Sequence, residues 1–588
     1  MIVHLNRYVW QEANPEARAE ADALIAGMEE RLAGEPFSIP RAGARFLVAR
    51  SYATTEAANE YLFPPESQTH DPFLFRNMDA AVRAVQLAID DQKPVLIHGD
   101  YDVDGICATA ILYHFLEGKV PKVSRFVPDR RKDGYGIATR AIEWALANNV
   151  GLMIAVDCGT SDGELIARLL DKGIEVVVCD HHEFPVDRDV RGIVLNPVGA
   201  EETYPFRGLC GAGVAYKLLQ ALEKVGVSGS VSSSEVLDLV AIATVGDVAR
   251  LVDENRSLVR AGLRQINREA RSGIKALTRE AGLDQEITAS HIGYRIAPRL
   301  NAPGRVSNPK PALALLCEEN NTEARRLAVR LEHENNHRKE LTKKVHDEVS
   351  SLIRDMGENR PSGGFVLSGA DWDEGVLGIA AARVVEEFGR PTILITRSGG
   401  VGKGSGRSVP GVHLKEQLDR CADRLLKFGG HAQAVGFSIE PVHIELFQTE
   451  FTSQLASVTR ELPKLPTLRI DSELEIDEVS MELVDFLAAC EPFGYGNRTP
   501  VWKISGVEVT GETRYVGGDH LKVFGRARNG GKVNAIGFNW RSRGIDPVDL
   551  LGRKVDLAVT VKKGYYLKKY YPELHALDIR DSMTEGDG

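Results

Sequence analysis

VLIHGDYDVDGICA, residues 95–108, sets Asp100, Asp102 and Asp104 at alternate positions behind a short apolar run that ends in His98. Gly105 follows at once, and an apolar-periodic segment begins behind it. Carboxylates crowded this closely raise one another's pKa unless a cation neutralises them. Such a cluster is either mobile and fully solvated or holds a hard divalent ion through oxygen. The strand-like run in front of it argues for the second reading.

Working outward, residues 79–196 alternate between two patterns. Helical text at 81–89, 106–116, 137–147 and 164–170 separates short apolar runs at 95–97, 123–127, 152–156, 176–178 and 192–195. Continuous apolar runs between helices predict a mostly parallel sheet covered on both faces. Ligands of such sheets gather beyond the carboxyl ends of the strands. The chemistry stands there in order: Asp100, Asp102 and Asp104, then Asp157 in AVDCG, then Asp180, His181 and His182 in VVVCDHH. Capping accounts for one strand-end carboxylate but not for three successive acid or histidine clusters. A helix expected over 235–251 adds Asp247 in LDLVAIATVGDV.

These oxygen and imidazole ligands suit two divalent ions, Mn2+ or Mg2+, and no cysteine pattern recommends zinc. Two such ions activate a water and stabilise the leaving oxygen of an in-line displacement at phosphorus. One carboxylate must bridge them, and Asp157, on the central strand, is the candidate.

A length of 588 residues predicts about three to five domains. A hydrophobic share of 43% and a charged share of 26% are those of an ordinary globular chain. The net charge of −11 does not advertise a nucleic-acid binder, although a basic groove can sit on an acidic protein. Seven scattered cysteines without a CxxC suit reduced thiols. No leader-like start and no long apolar run are visible, so a cytoplasmic protein with no membrane partner is expected.

On the succession HGDYDVDG, FVPDRRKDGYG, VDCG, DHH, ATVGDV and APRLNAPGR, the chain resembles the DHH phosphoesterase superfamily. Within it, the chain is similar to the RecJ family of single-strand-specific exonucleases, from about residue 70 to near the C-terminus. The resemblance implies metal ligands at Asp102, Asp104, Asp157, His181 and Asp247, with Asp100 or His98 completing the first ion's shell. It places His182 against the scissile phosphate or leaving oxygen; the bland reading makes His182 a group that orients His181. The family often has Ala-Asp and a proline around the last ligand, where this chain has Gly246-Asp247 and Arg250. Arg299 and Arg305, flanking an Asn-Ala-Pro-Gly turn, are expected to clamp phosphate, as is Arg130. Asp157, His182 and Arg305 form the expected catalytic set.

Residues 321–356 read as one long helix, polar all round in EHENNHRKE, with His333 and His337 solvated; such a helix bridges domains. VGKGSGRS fails the Walker A pattern because Gly404 follows Lys403, but it reads as a glycine-rich turn suited to phosphate. The resemblance makes GSGRS and FGGHAQAVGF a DHHA1 domain, in which Ser405, Arg407 and His431 contact backbone phosphates. From 465 to 579 short strands with glycine turns predict a small barrel, for which an OB-fold is the family expectation. There KKGYYLKKYY suits base stacking between phosphate-tracking lysines, while PFGYGN reads as interdomain packing.

The expected architecture is α/β: an N-terminal helical cap (1–75), a DHH parallel-sheet domain (76–320), a long connector helix (321–356), a smaller α/β DHHA1 domain (357–460) and a C-terminal β-barrel of OB type (461–588). The resemblance implies 5′ to 3′ degradation of single-stranded DNA to mononucleotides in mismatch repair, base-excision repair and recombination. The expected partners are single-stranded DNA, a single-strand binding protein and a helicase. The alternatives are a related hydrolase of short oligonucleotides, cyclic dinucleotides or polyphosphate, and a non-catalytic scaffold.

Overall fold

Five of the apolar runs assemble as expected. Val95–Gly99 (β1), Val123–Phe126 (β2), Leu152–Val156 (β3), Glu175–Cys179 (β4) and Ile193–Leu195 (β5) form an all-parallel sheet in the order β2-β1-β3-β4-β5. The structure is a computed structural model that describes residues 5–12, 17–64, 69–184, 191–357, 360–398, 400–462 and 465–582. Both faces of the sheet are covered, which is why the runs are continuous rather than alternating. Ile97, Leu152, Ile154 and Val156 face one core, while Leu96, Met153, Ala155 and Val178 face the other. From β1 the chain crosses to β2 on one side and returns to β3 on the other. A crevice therefore opens between the carboxyl ends of β1 and β3, at the switch point of this strand order.

The helices that matter for the crevice are Val103–Leu116 (α1), Gly211–Lys224 (α2), Leu237–Gly246 (α3), Asp253–Glu269 (α4) and Ala297–Val306 (α5). α3 stops at Gly246, so the helix expected over 235–251 is shorter and Asp247 caps it. RLNAPGR is not a turn but most of α5, with Pro303 inside it. There the Asn301 side-chain oxygen accepts the first helical N–H of α1, from Val103, at 2.7 Å.

The connector is one helix, Asn321–Asp355 (α6), capped by Asn320. Its first half joins the core under the parallel sheet through Leu327 and Leu331. Its second half joins the next domain through Val345, Val349 and Ile353. His333 and His337 are exposed. The middle is not solvated all round, however, because Asn335 and Thr342 have no exposed surface.

Beyond α6, Phe365–Gly369 (β6), Thr392–Thr396 (β7), Gly402–Arg407 (β8), Leu425–Gly430 (β9) and Ala434–Ile439 (β10) form a mixed sheet in the order β9-β10-β8-β7-β6. Leu377–Phe388 (α7) packs on β7 and β8. VGKGSGRS is thus a central strand and not a turn. Gly404 stands opposite Phe437 in the register, and a Cβ there would lie 2.1 Å from the phenyl ring. The glycines make room for large side chains of β10, and strand alternation puts Lys403, Ser405 and Arg407 on the other face.

Ser472–Glu473 (β11), Trp502–Val509 (β12), Arg514–Val516 (β13), His520–Arg526 (β14), Lys532–Gly537 (β15), Lys554–Tyr566 (β16) and Lys569–Asp581 (β17) build the barrel, in the order β11-β12-β16-β17-β15-β14-β13. The β12–β14 pairing closes it, and β15 and β17 run parallel, the connectivity of an OB-fold. The N-terminal residues share this barrel's core. Val9–Glu12 pairs in parallel with Thr467–Ile470. Phe46, Leu47 and Leu62 pack in one cluster with Phe486, Trp502 and Leu557. Within the expected helical cap, Arg41–Ala49 and Thr55–Leu62 are helical. The first helix of the cap runs Ala17–Leu32; residues 13–16 lie outside the described residues. Among the described residues no helix is long and apolar enough to cross a membrane.

Replacing Gly404 by Val drives a side chain into Phe437 in the middle of a sheet. Destabilisation of about 2 kcal/mol or more is expected, as for overpacked cores. Chemical denaturation of the variant checks it, and an unchanged midpoint would contradict the packing described.

Candidate metal centre

The crevice is built from backbone outward. Asp100 ends β1 with 3% of its surface exposed, and its Oδ1 is buried with no hydrogen-bond partner. Asp102 caps α1, its Oδ1 accepting from Asp104 N at 2.9 Å and Gly105 N at 3.3 Å. Asp104 is fully buried and accepts from Gly211 N at 2.7 Å and Ala212 N at 2.8 Å, at the start of α2. Residue 211 has to be glycine, since a Cβ there would lie 2.7 Å from Asp157 Cβ. Asp157 follows β3 in left-handed backbone, φ 59°, with its N–H donated to Cys179 O at 2.9 Å. Such a conformation costs a non-glycine residue on the order of 1–3 kcal/mol and persists where the surroundings over-determine it. His181 Nε2 lies 3.1 Å from Asp157 Oδ1, 3.6 Å from Asp104 Oδ2 and 3.8 Å from Asp247 Oδ2.

Among the described residues three groups of ligand atoms result, each within 4.8 Å: Asp100, Asp102 and Asp157; Asp104, His181 and Asp247; and Asp157, His181 and His182. Asp157 and His181 each belong to two of them. Burial, followed by the charge of Asp102, pushes Asp100 well above the usual carboxylate range. Burial, then Asp104, Asp102 and Asp100, does the same to Asp157, and burial with Asp104 and Asp102 does it to Asp247. These carboxylates cannot all ionise together without a cation. The orphaned oxygen of Asp100 and the hard oxygen-rich donor set fit divalent Mn2+ or Mg2+.

His98 is placed differently. It is fully buried, stacks on Phe126 at 5.3 Å and accepts Ala138 N–H on Nε2 at 3.1 Å. Burial drives it down to about 4, so it stays neutral. The ligand groups among the described residues contain Asp100 and not His98.

Asp180 also stays out of these groups. It accepts from Thr160 N at 3.0 Å, His181 N at 2.8 Å and His182 Nδ1 at 2.7 Å. Burial alone would raise it, but the bond and charge of His182 hold it well below the usual range. Burial likewise acts to lower His182, yet Asp180 outweighs it and lifts the imidazole to about 9. His182 thus carries a proton at neutral pH, with the edge of the Tyr135 ring against it at 5.6 Å.

The facing wall is cationic and drawn from two domains and the connector. Arg305 is depressed by burial and then by Arg130. Arg407 falls to about 10 through burial, Arg305 and Arg130. Its guanidinium lies over the first turn of α7, 2.6 Å from where a Gly378 Cβ would stand, and bonds Ser405 Oγ at 3.3 Å. His431, beyond β9, is lowered by burial and raised by Glu183, and it also feels Arg407 and His182 across the cleft. Arg299 is not on this wall. It is 4% exposed and bonds Glu332 of α6 and Arg295 O, so it is an internal strut.

Two residues had no readable signal. Arg338, inside the polar middle of α6, is brought to about 10 by burial and then Arg305. Arg131 joins the domains by pairing with Asp373 at 3.0 Å.

The family comparisons follow this layout. Residues 94–244 match the DHH family, N-terminal domain, residues 362–457 the DHHA1 domain, and residues 470–578 the RecJ OB domain. The single-stranded-DNA-specific exonuclease RecJ of Salmonella typhimurium is 34% identical, over 80% of this chain and 86% of that protein. The chain belongs to the RecJ family. RecJ of Bacillus subtilis is 33% identical over 84% of this chain, which spans 62% of that longer protein. Crystal structures of Thermus thermophilus RecJ in complex with Mn2+ and with Mg2+ superpose with TM-scores of 0.80 and 0.75, at 26% identity. Each match covers 98% of this chain, and 80% and 79% of the RecJ chain respectively.

In the metal-free protein, NMR titration of His182 should give a pKa near 9, raised from the ordinary 6.5. The proton's contribution to stability is then complete below about 6.5 and is lost as pH rises through about 9. Asp180→Asn removes the largest influence opposing burial, leaving only the charges of Asp100 and Asp247 against it, and should bring His182 down from about 9; a titration that does not move would sink the pairing.

Proposed function

We propose that this chain is a single-stranded-DNA-specific exonuclease that hydrolyses phosphodiester bonds from the 5′ end and releases mononucleotides, in DNA repair and recombination. One observation carries the reading: three ligand groups, linked through Asp157 and His181, lie within electrostatic reach of Arg130 and Arg305 of the arginine wall. Asp100, Asp102 and Asp157 would hold one divalent ion, and Asp104, His181 and Asp247 a second, with Asp157 between them. When bound, Mn2+ or Mg2+ supplies Lewis acidity for activating water and stabilising the leaving oxygen.

The chain's own groups do the rest. His182, kept protonated by Asp180, presents a cationic donor to a phosphate oxygen. Arg305, Arg130 and Arg407 neutralise and orient backbone phosphates, with Ser405 and His431 beside them; guanidinium forks match phosphate geometry. Arg131 and Asp373 tie the domains together at the edge of the wall.

The barrel supplies the grip on a longer strand. The β14–β15 face and the β16–β17 hairpin are the ligand-binding parts of an OB-fold. A groove of about 500 Å3 there is lined by Lys522, Lys532, Ile536, Tyr566 and Tyr571. Tyr565, Tyr566 and Tyr570 stand exposed at the hairpin tip, with Lys563 over the Tyr570 ring at 4.4 Å. Stacking platforms between lysines hold single strands without reading sequence. This favours a long strand over the short oligonucleotides, cyclic dinucleotides or polyphosphate of the alternative reading, and the intact ligand groups stand against a scaffold. A helicase and a single-strand binding protein, which would present the strand, and a cytoplasmic location complete the proposal.

Timed digestion of single strands labelled at either end tests it. A 5′ label should leave first as a mononucleotide, a chelator should abolish cleavage, and Mn2+ or Mg2+ should restore it. Asp157→Ala should cost more than about 100-fold, since even residues behind metal ligands cost 10–100-fold. Cleavage confined to short oligomers would refute the reading.

A further inference from the structure

The EPFGYGN loop, residues 491–497, packs on the one stretch of chain that leads away from Asp247. From Asp247 the backbone runs through 248–252 into α4, with Val248 in left-handed backbone, φ 59°. Leu251 N donates to Tyr495 O at 2.6 Å. A Cβ on Gly494 would lie 2.7 Å from Leu251 Cδ1, and one on Gly496 (φ 83°) 3.2 Å from Arg250 Cβ. The loop's backbone therefore lies directly against residues 250–252. The loop is itself fixed by Asn497, whose Nδ2 donates to Cys490 O at 3.2 Å and Pro492 O at 2.8 Å. Asn497 Oδ1 accepts from the Tyr61 hydroxyl at 3.0 Å.

The start of α4 completes the joint with two buried side chains that reach opposite ways. Arg256 donates to Tyr61 O at 2.5 Å and Cys490 O at 3.0 Å, on the barrel side. Asn255 Nδ2 donates to Arg250 O at 3.0 Å and Gly208 O at 2.6 Å, on the crevice side. Gly208 lies in the segment that enters α2, whose first N–H groups hold Asp104. One amide thus bridges the backbone that carries Asp247 to the backbone that fixes Asp104.

We propose that Asn255, Arg256 and the 494–497 loop are positioning residues for the metal centre. They set the separation of Asp104 and Asp247, which share His181, and so make one metal site depend on the barrel module. The inference rests on the assignment of those aspartates as ligands. A joint that served packing alone would lower stability and leave the metal affinity of the folded protein unchanged.

Calorimetric Mn2+ titration of the full metal-stripped chain, with steady-state digestion of a labelled single strand, decides between them. Asn255→Ala should weaken one of two Mn2+ binding events by about 10- to 100-fold, as loss of a group behind a ligand does. It should lower kcat and leave KM for the strand unchanged. Gly496→Ala, which presses on residues 250 and 252 from the barrel side, should act in the same direction and keeps the test open if Asn255→Ala does not fold. Parent-like Mn2+ binding in the folded variants would overturn the proposal, provided Asp247→Ala loses a binding event. If Asp247→Ala retains both events, the ligand assignment fails, and the positioning role falls with it.

Discussion

Mutual repulsion among buried carboxylates is the constraint around which the rest of the molecule is arranged. Asp100, Asp104 and Asp157 are almost wholly out of water; burial and the charges of Asp104, Asp102 and Asp100 raise the cost of ionising Asp157, and burial with Asp102 that of Asp100. Backbone N–H groups meet part of that cost. Those of Gly211 and Ala212 bind Asp104 at the N-terminus of α2, and those of Asp104 and Gly105 bind Asp102 at the N-terminus of α1. Two helix N-termini thus aim their positive ends at one crevice. Asp100 receives no such help on Oδ1, and it is there that a cation has most to offer.

The opposite wall has the converse difficulty. Burial and neighbouring guanidinium groups depress Arg305, Arg338 and Arg407, with Arg130 acting on Arg305 and Arg407, and the set comes from both α/β domains and the connector. Each wall is electrostatically unfavourable by itself. On the proposed function, divalent ions would relieve one wall and a phosphodiester the other. A substrate that brings a phosphate between them is therefore bound by charge that the fold has already concentrated, and the cost of concentrating it was met in folding.

Period and position made the catalytic sheet legible, because a strand buried on both faces leaves a continuous apolar run and its last residue marks the crevice. That is how Asp157 and His181 could be located from text alone. Where the text misled, a local signal had a second physical meaning. Glycines in VGKGSGRS look like a turn, but they clear space for Phe437 across a sheet. Proline and glycine in RLNAPGR look like a loop, but tertiary packing holds them in α5, and Arg299 turns inward to Glu332. Asn335 looks solvated in the polar text of EHENNHRKE, yet the fold leaves it no exposed surface. His98 carries the chemistry of a ligand, yet only the fold shows that its ring nitrogen is already engaged by Ala138.

Contacts between the chain's ends explain why residues before 75 carry no visible chemistry and are still tied to it. Val9–Glu12 pairs with Thr467–Ile470, and buried Asp578 accepts from Arg7 N, Tyr8 N and the Trp10 indole. The first helices and the barrel are accordingly one module with one core. Tyr61, from the last of those helices, accepts Arg256 on its carbonyl and donates its hydroxyl to Asn497. The module therefore meets the catalytic domain through buried polar groups whose partners are fixed in direction, where an apolar face would tolerate sliding. Losing any one of these bonds leaves a buried polar atom unsatisfied, at about 1–3 kcal/mol. That directional interface holds the barrel's β14–β15 face at a set distance and angle from Asp247, which the proposed passage of one strand from barrel to metal centre requires.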